Sequence, residues 1–246
     1  MTLQELLDFT ASSVLGDRSG QLSGASDALW SDEFLTRCFN EAQRILCREA
    51  WVLSDDSTAA VTEIDLVAST ASYALHSSVL RVLSARLSDS DVDLTAASYE
   101  ELRPRTNYDE DAFFDVSSAY TEAAGRPYWF ASDQATKKLR LRPAPDTTSA
   151  ALTLKLRVIR MPVTELVVTS ITASPEVPAE YHLALTDYAA WRALSRPNAD
   201  ENYRQAAKDY KDAWEDTLAG AKRDRRRAQA SPGRINLGSG GFSWVR

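Results

Sequence analysis

The sequence predicts an α+β protein: a helical bundle built from both ends of the chain, an inserted antiparallel β domain, and an extended C-terminal arm. Three observations predict it. Near each end, apolar residues recur at three- and four-residue spacing, the period of a helix with one buried face. Between Val61 and Pro162 the period shortens to two, with turn residues between short apolar runs. Beyond Gly220 the apolar period is lost, and glycine and arginine take its place. The expected division is 1–55 and 171–221 for the bundle, 56–170 for the β domain and 222–246 for the arm.

The first element is a short amphipathic helix over Thr2–Val14, with Leu3, Leu6 and Leu7 on one side. Gly, Ser and Asp from Gly16 to Asp27 read as a loop. Ser31 is suited to cap a second helix, with Asp32 and Glu33 in the first turn, where the helix dipole favours acids. Phe34, Leu35, Cys38, Phe39, Ala42, Ile45 and Leu46 then form a core-facing stripe that runs to about Ala50. Cys38 and Cys47 are the only cysteines. On a helix turning about 100° per residue they lie on opposite sides, so they neither pair nor share a metal. They read as partly buried thiols of a reducing compartment.

In the middle region Val61–Val67, Val79–Leu87 and Tyr128–Ala131 read as strands. Lys138–Arg142 and Leu152–Val158 alternate cleanly between apolar and polar residues. Pro143, Pro145 and Asp146 between them predict a hairpin. Ala97–Leu102 reads as a short helix, and Asn107–Asp115 as an exposed acidic loop with an aromatic anchor.

Helices return at Pro178, whose missing N–H is no loss in a first helical turn. Tyr181, Ala184, Leu185, Tyr188, Trp191 and Leu194 give a broad buried face that ends before Pro197. Asn198 with Glu201 fits a capping box for the next helix. There the expected stripe is Tyr203, Ala206, Tyr210, Ala213, Trp214 and Leu218. Phe34, Leu35, Phe39, Tyr181, Leu185, Tyr188, Tyr203, Tyr210 and Trp214 are the expected bundle core.

The formal net charge is −7. Residues 222–246 hold seven Lys or Arg and one acid, so they carry +6 and residues 1–221 carry −13. This is an acidic body with a basic tail. No apolar run approaches the ~20 residues that cross a bilayer. The acidic first residues lack the pattern of a signal peptide, so the expected site of synthesis is the cytoplasm.

Chemistry-bearing motifs are few. His76 and His182 are the only histidines, too few for most metal centres or hydrolytic triads. There is no P-loop, and no Gly-x-Gly-x-x-Gly opens a helix after a strand. Asp109, Glu110, Asp111 and Asp115 lack the glycine turn and alternation of an EF-hand loop and read as a solvated run. Neither catalysis nor a cofactor is expected. The tail is different. Lys222 and Arg223 suit a helix C-terminus, but Phe242, Trp244 and Val245 on a Gly-rich basic segment need a partner to bury them. Nucleic acid is the rival partner for the Lys222–Arg227 cluster, although the acidic body repels phosphate within about 8–10 Å.

The helix pair beginning PAEYHLALTDYAAWRAL (Pro178–Leu194), followed by Tyr203, Ala206, Tyr210 and Trp214, resembles the head-to-tail adaptor proteins of tailed bacteriophages. The segment WSDEFLTRCFNEA (Trp30–Ala42) is similar to that family's first long helix. The resemblance implies a structural virion protein at the head–tail junction, present in the host cytoplasm before assembly. It implies a twelvefold ring under the portal that extends the DNA channel and joins capsid to tail. Implied partners are further copies, the portal protein, a tail or nozzle protein, and DNA passing without sequence-specific binding; no membrane is implied. The C-terminal arm would grip the portal, with Arg223, Arg225, Arg226, Arg227, Arg234, Ile235, Leu237, Phe242, Trp244 and Arg246 as the expected contacts. The alternative function is nucleic-acid binding through the basic tail.

Overall fold

The computed structural model describes residues 1–16, 29–98, 124–195 and 201–229. The helices are α1 (Leu3–Asp8), α2 (Asp32–Ala50), α3 (Ala59–Thr62), α4 (His182–Leu194) and α5 (Glu201–Gln229). The strands are β1 (Ser54–Asp55), β2 (Glu63–Asp65), β3 (Ser72–Ala74), β4 (Val79–Leu87), β5 (Thr95–Ala96), β6 (Trp129–Asp133), β7 (Lys138–Arg142) and β8 (Thr153–Arg160). Two compact units result: Met1–Val52 with Glu165–Arg246, and Leu53–Thr164.

In the helical unit, Thr2 caps α1 reciprocally with Glu5: Glu5 N–H donates to Thr2 Oγ1 at 3.3 Å, and Thr2 N–H to Glu5 Oε2 at 2.9 Å. Leu3, Leu6 and Leu7 are all buried. The expected helix to Val14 is continuous, but Phe9–Val14 is wound as a wider π-helix. There the Ser12 hydroxyl donates to the Asp8 carbonyl, competing with the main-chain ladder. Ser31 caps α2 by accepting from Phe34 N–H at 3.2 Å. The α2 stripe is as the spacing predicts, with Leu35, Cys38, Phe39, Ala42 and Leu46 buried and Phe34 and Ile45 half-buried.

Pro178 stands one turn earlier than expected: Ala179–Tyr181 form a 3-10 turn before α4 proper begins at His182. Leu185, Tyr188, Ala189 and Ala193 of α4 are buried. Tyr188 meets Trp214 of α5 edge-on at 5.0 Å and Trp191 at 5.4 Å, an arrangement favoured by the ring quadrupoles. Trp30 Nε1 donates to Ala193 O at 3.2 Å, tying the approach to α2 onto the end of α4.

The second unit contains two sheets that share one core. In the first, β8 is central: β1 and β2 pair successive parts of one edge and β4 pairs the other, all antiparallel. The second has the order β3-β7-β6-β5, and its β5–β6 pair is parallel. Leu139, Leu141, Phe130 and Tyr73 of this sheet pack with Leu154, Leu156, Val158, Ala85 and Leu87 of the other.

The expected hairpin between 138–142 and 152–158 is not formed. Its strands lie in different sheets, β7 against β6 and β3, and β8 against β4, β1 and β2. Alternation sets which face of a strand is buried, not which strand it pairs with. The connection turns instead at Asp146, whose carboxylate accepts from Ser149 N–H at 2.7 Å and starts a 3-10 turn. Two smaller readings also change. Val61 lies in the helical turn α3, and Ala97 and Ser98 are not helical, while 99–102 fall outside the described residues.

Candidate functional site

The expected arm begins where the apolar period of α5 stops, yet the helix continues nine residues past Gly220, to Gln229. The reason lies in Ala221, Lys222 and Arg225. Ala221 is buried, and the next two contacts on the same face come from long cationic side chains whose stems cover apolar surface. A search for apolar periodicity does not register them.

These cations hold the C-terminus of α2. Trp51 caps α2 in the left-handed conformation, φ 58° and ψ 40°, a position where glycine is the usual choice. The Arg225 guanidinium lies 3.3 Å from the centroid of the Trp51 indole, and its Nη1 donates to the Glu49 carbonyl at 2.8 Å. Lys222 Nζ reaches Glu49 Oε2 at 2.5 Å. Cations at a helix C-terminus are favoured by its dipole and satisfy carbonyls that the helix leaves over. Lys222 and Arg225 are therefore structural contacts of the helical unit, and Arg225 is committed inward.

Arg223, Arg226 and Arg227 point outward and are exposed; Arg227 pairs with Asp224 one turn back at 3.5 Å. They form a basic outer face on the last turns of α5. Arg234, Ile235, Leu237, Phe242, Trp244 and Arg246, the other expected arm contacts, lie outside the described residues.

Of the expected bundle core, Leu35, Phe39, Leu185, Tyr188 and Trp214 are buried. Phe34, Tyr181 and Tyr210 are half-buried. Tyr203 is a correction, being 47% exposed. The buried line of α5 is Ala207, Trp214 and Ala221 at seven-residue spacing, which shares Trp214 alone with the expected stripe of Tyr203, Ala206, Tyr210, Ala213, Trp214 and Leu218.

The segment preceding α4 is held by side chains that the apolar stripe of α2 does not reveal. Asn40 Nδ2 donates to Leu166 O at 2.8 Å while its Oδ1 accepts from Leu166 N–H at 2.9 Å. Gln43 Oε1 accepts from Glu176 N–H at 3.1 Å. The first amides of α1 donate to the same segment, Leu3 N–H to Ala173 O at 2.7 Å and Gln4 N–H to Ile171 O at 2.9 Å. Asn40 sits in the quoted Phe-Asn-Glu-Ala motif, and a polar residue on an otherwise apolar helical face was the one sequence signal for this role.

His182 is buried. Its Nε2 donates to Val177 O at 3.0 Å, and Nδ1 accepts from the Met1 ammonium at 2.9 Å. Burial holds its pKa below the usual histidine value, and the adjacent ammonium acts in the same direction. His76 is exposed, with Nδ1 bonded to Ser78 Oγ at 2.8 Å and to Ser78 N–H at 3.2 Å. Cys38 and Cys47 are buried and not joined in a disulfide, and burial pushes the Cys38 thiol up to about 11, away from nucleophilic use at neutral pH. Among the described residues no group of three or more His, Cys, Asp or Glu could hold a metal ion, and no helix is long and apolar enough to cross a membrane. Asp109, Glu110, Asp111 and Asp115 lie outside the described residues.

Among the described residues of the β unit, Arg160 and Asp55 form a buried ion pair. Arg160 Nε donates to Asp55 Oδ2 at 2.6 Å, and Oδ1 accepts from Ser57 N–H at 3.0 Å and Thr58 N–H at 3.1 Å. Burial pushes the Asp55 carboxyl upward, but these donors together outweigh it and hold the pKa well below the usual carboxylate range.

Residues 1–236 match a protein family described as SU10 adaptor protein. No curated protein matches the chain.

Proposed function

The chain belongs to the SU10 adaptor protein family, and from that premise we propose that it is a non-enzymatic head-to-tail adaptor of a tailed bacteriophage virion. Copies form a twelvefold ring beneath the portal, extend the DNA channel and offer the tail or nozzle its platform. The docking segment is 222–246. Lys222 and Arg225 fasten its helical root to α2, Arg223, Arg226 and Arg227 present charge on the outer face, and Phe242 and Trp244 are the adhesive residues. The observation that carries this reading is the family match over 1–236, which takes in both units and the root of the arm. Affinity for a ring of identical portal subunits then comes from many weak arms, each adding intramolecularly once the first has bound.

Native mass spectrometry of the chain, alone and mixed with its cognate portal ring, tests the proposal. The expected result is a low-order species alone that adds to the portal in multiple copies. Truncation after Gln229 is expected to abolish that addition while leaving the circular dichroism unchanged. A chain that ignores the portal overturns the adaptor reading, and undiminished binding by the truncated chain overturns the arm.

The alternative, nucleic-acid binding through the tail, loses two of its cations to Glu49 and Trp51. It predicts duplex binding that vanishes when Arg223, Arg226 and Arg227 are replaced by Gln.

A further inference from the structure

Helix α5 carries more apolar surface than its packing uses. Its buried line is Ala207, Trp214 and Ala221. Beside that line, Tyr203, Ala206, Tyr210 and Ala213 recur at three- and four-residue spacing and form a second one. None of the four is buried: Tyr203 is 47% exposed, Ala213 is exposed, and Ala206 and Tyr210 are half-buried. On α4, Leu183 is 55% exposed, and Asp187, one turn later, is half-buried.

These two sets adjoin. α4 and α5 run antiparallel, with Tyr188 against Trp214 and Lys211 over Trp191. Burial first and the Asp187 charge second push up the Tyr210 phenol, which places those two side chains near each other. Leu183 shares its side of α4 with Asp187, and the antiparallel run sets it level with the turn of α5 that follows Ala213. Among the described residues Asp187 makes no hydrogen bond or ion pair, and burial alone pushes its carboxyl above the ordinary value. An apolar strip with an unpaired carboxylate on its margin suits a segment that brings apolar side chains and one cation.

We propose that this strip is the docking site of the chain's own C-terminal segment, residues 230–246, folded back along α5 in the free protein. Reach permits it. Tyr210 stands nineteen residues before Gln229, about 28 Å along the helix axis. The thirteen residues from Gln229 to Phe242 span up to about 43 Å, and the seventeen to Arg246 up to about 56 Å. Charge favours it. Residues 230–246 contain Arg234, Arg246 and no acid, whereas α5 from Glu201 to Leu218 holds five acids against three bases. The residue pattern matches as well. An extended run puts alternate residues on one face about 6.8 Å apart, which here groups Phe242, Trp244 and Arg246. Leu183 and Asp187, an apolar position beside a carboxylate, are about 6 Å apart on their helix. The body of a second copy is itself acidic and matches the strip less well. Docking covers Phe242 and Trp244 until another surface competes for them. The inference concerns the chain alone and does not rest on the portal reading.

The test is the distance between nitroxide labels on K208C and S243C in the full chain, measured by pulsed electron paramagnetic resonance. Lys208 is exposed, while Cys38 and Cys47 are buried and escape the label. The docked tail should give a narrow population below about 25 Å, a helix diameter plus the two labels. An undocked coil should give a broad distribution around roughly 35–40 Å. F242A with W244A should lower the ratio of docked to undocked chains at least roughly tenfold. D187N and R246Q should each lower it about two- to fivefold, and together by no more than either alone. A broad distribution in the chain with native 242–246 overturns the proposal. A short distance that survives L183A with Y203A in a folded variant places the tail elsewhere and overturns the strip. If that variant does not fold, D187N and R246Q decide, since additive effects overturn the pairing. Loss of the short distance on mixing with a tenfold excess of unlabelled chain assigns the strip to a neighbouring copy and overturns the fold-back.

Discussion

Replacing Arg225 with Ala tests whether the last turns of α5 belong to the bundle or to a free arm. The substitution removes a cation–π contact at 3.3 Å to Trp51 and a charge-assisted hydrogen bond to the Glu49 carbonyl. The first is worth about 1–2 kcal/mol when partly desolvated and the second about 1.5 kcal/mol at the low end for charged donors. Both groups are only part-buried, so the expected loss is about 2 kcal/mol. Urea unfolding followed by the helical circular dichroism signal reads it as a lower midpoint at an unchanged slope. Trp51 makes the argument sharper. Its left-handed backbone costs a non-glycine residue about 1–2 kcal/mol, so Trp51→Gly relieves strain while losing the stack. In the wild-type background these terms oppose each other and the variant should be modestly less stable. In the Arg225→Ala background the stack is already gone, and Trp51→Gly should become neutral or stabilising. A coupling of about 1–2 kcal/mol is expected from the double-mutant cycle. A coupling within the ~0.3–0.5 kcal/mol scatter of independent sites would refute the latch and return residues 222–229 to the arm.

Asp55→Ala should destabilise the β unit by about 3–5 kcal/mol, because it strands a buried guanidinium, whereas Asp55→Ala with Arg160→Met should recover most of the loss; equal losses in thermal melts would contradict this. The depressed Asp55 pKa also sets a pH dependence. Its stabilising contribution is fully present above the ordinary value of 3.8 and is lost as pH falls below it, so Asp55→Asn should flatten the acid limb of the stability curve. His182 acts at higher pH. Its pKa is lowered by burial first and the Met1 ammonium second, so between its folded value and the ordinary 6.5 the unfolded chain binds the proton and the folded chain does not. Stability therefore falls as pH drops below 6.5, by at most about 1.4 kcal/mol per pH unit. His182→Gln should lose that slope between pH 7 and 5, and an unchanged slope would place the titrating group elsewhere.

Elements with a strong period and a matching cap were legible: α2 begins at the Ser31 cap and buries the stripe expected of it, and β7 and β8 bury the predicted alternate residues. What failed was partner choice. Lys138–Arg142 and Thr153–Arg160 have the pattern of a hairpin, but each finds a better-matched neighbour elsewhere: seven paired positions join β8 to β4, and five join β7 to β6. Tyr203 failed for a related reason. An aromatic at helical spacing fits either edge of a stripe, and the packing of α4 on α5 selected the line through Ala207, Trp214 and Ala221.

The sequence by itself determined which residues are apolar at which period, where helices can start, and that charge is divided between an acidic body and a basic end. These are local properties, fixed by side-chain chemistry and backbone geometry. Only the tertiary structure decided the roles of the charged and polar residues. Nothing local distinguishes Arg225, stacked on Trp51, from Arg226, exposed one residue later. Nor does it distinguish Asn40, which clasps Leu166, from any other helical asparagine. A charge acts through what lies within a few ångströms of it in space, and those neighbours come from distant parts of the chain.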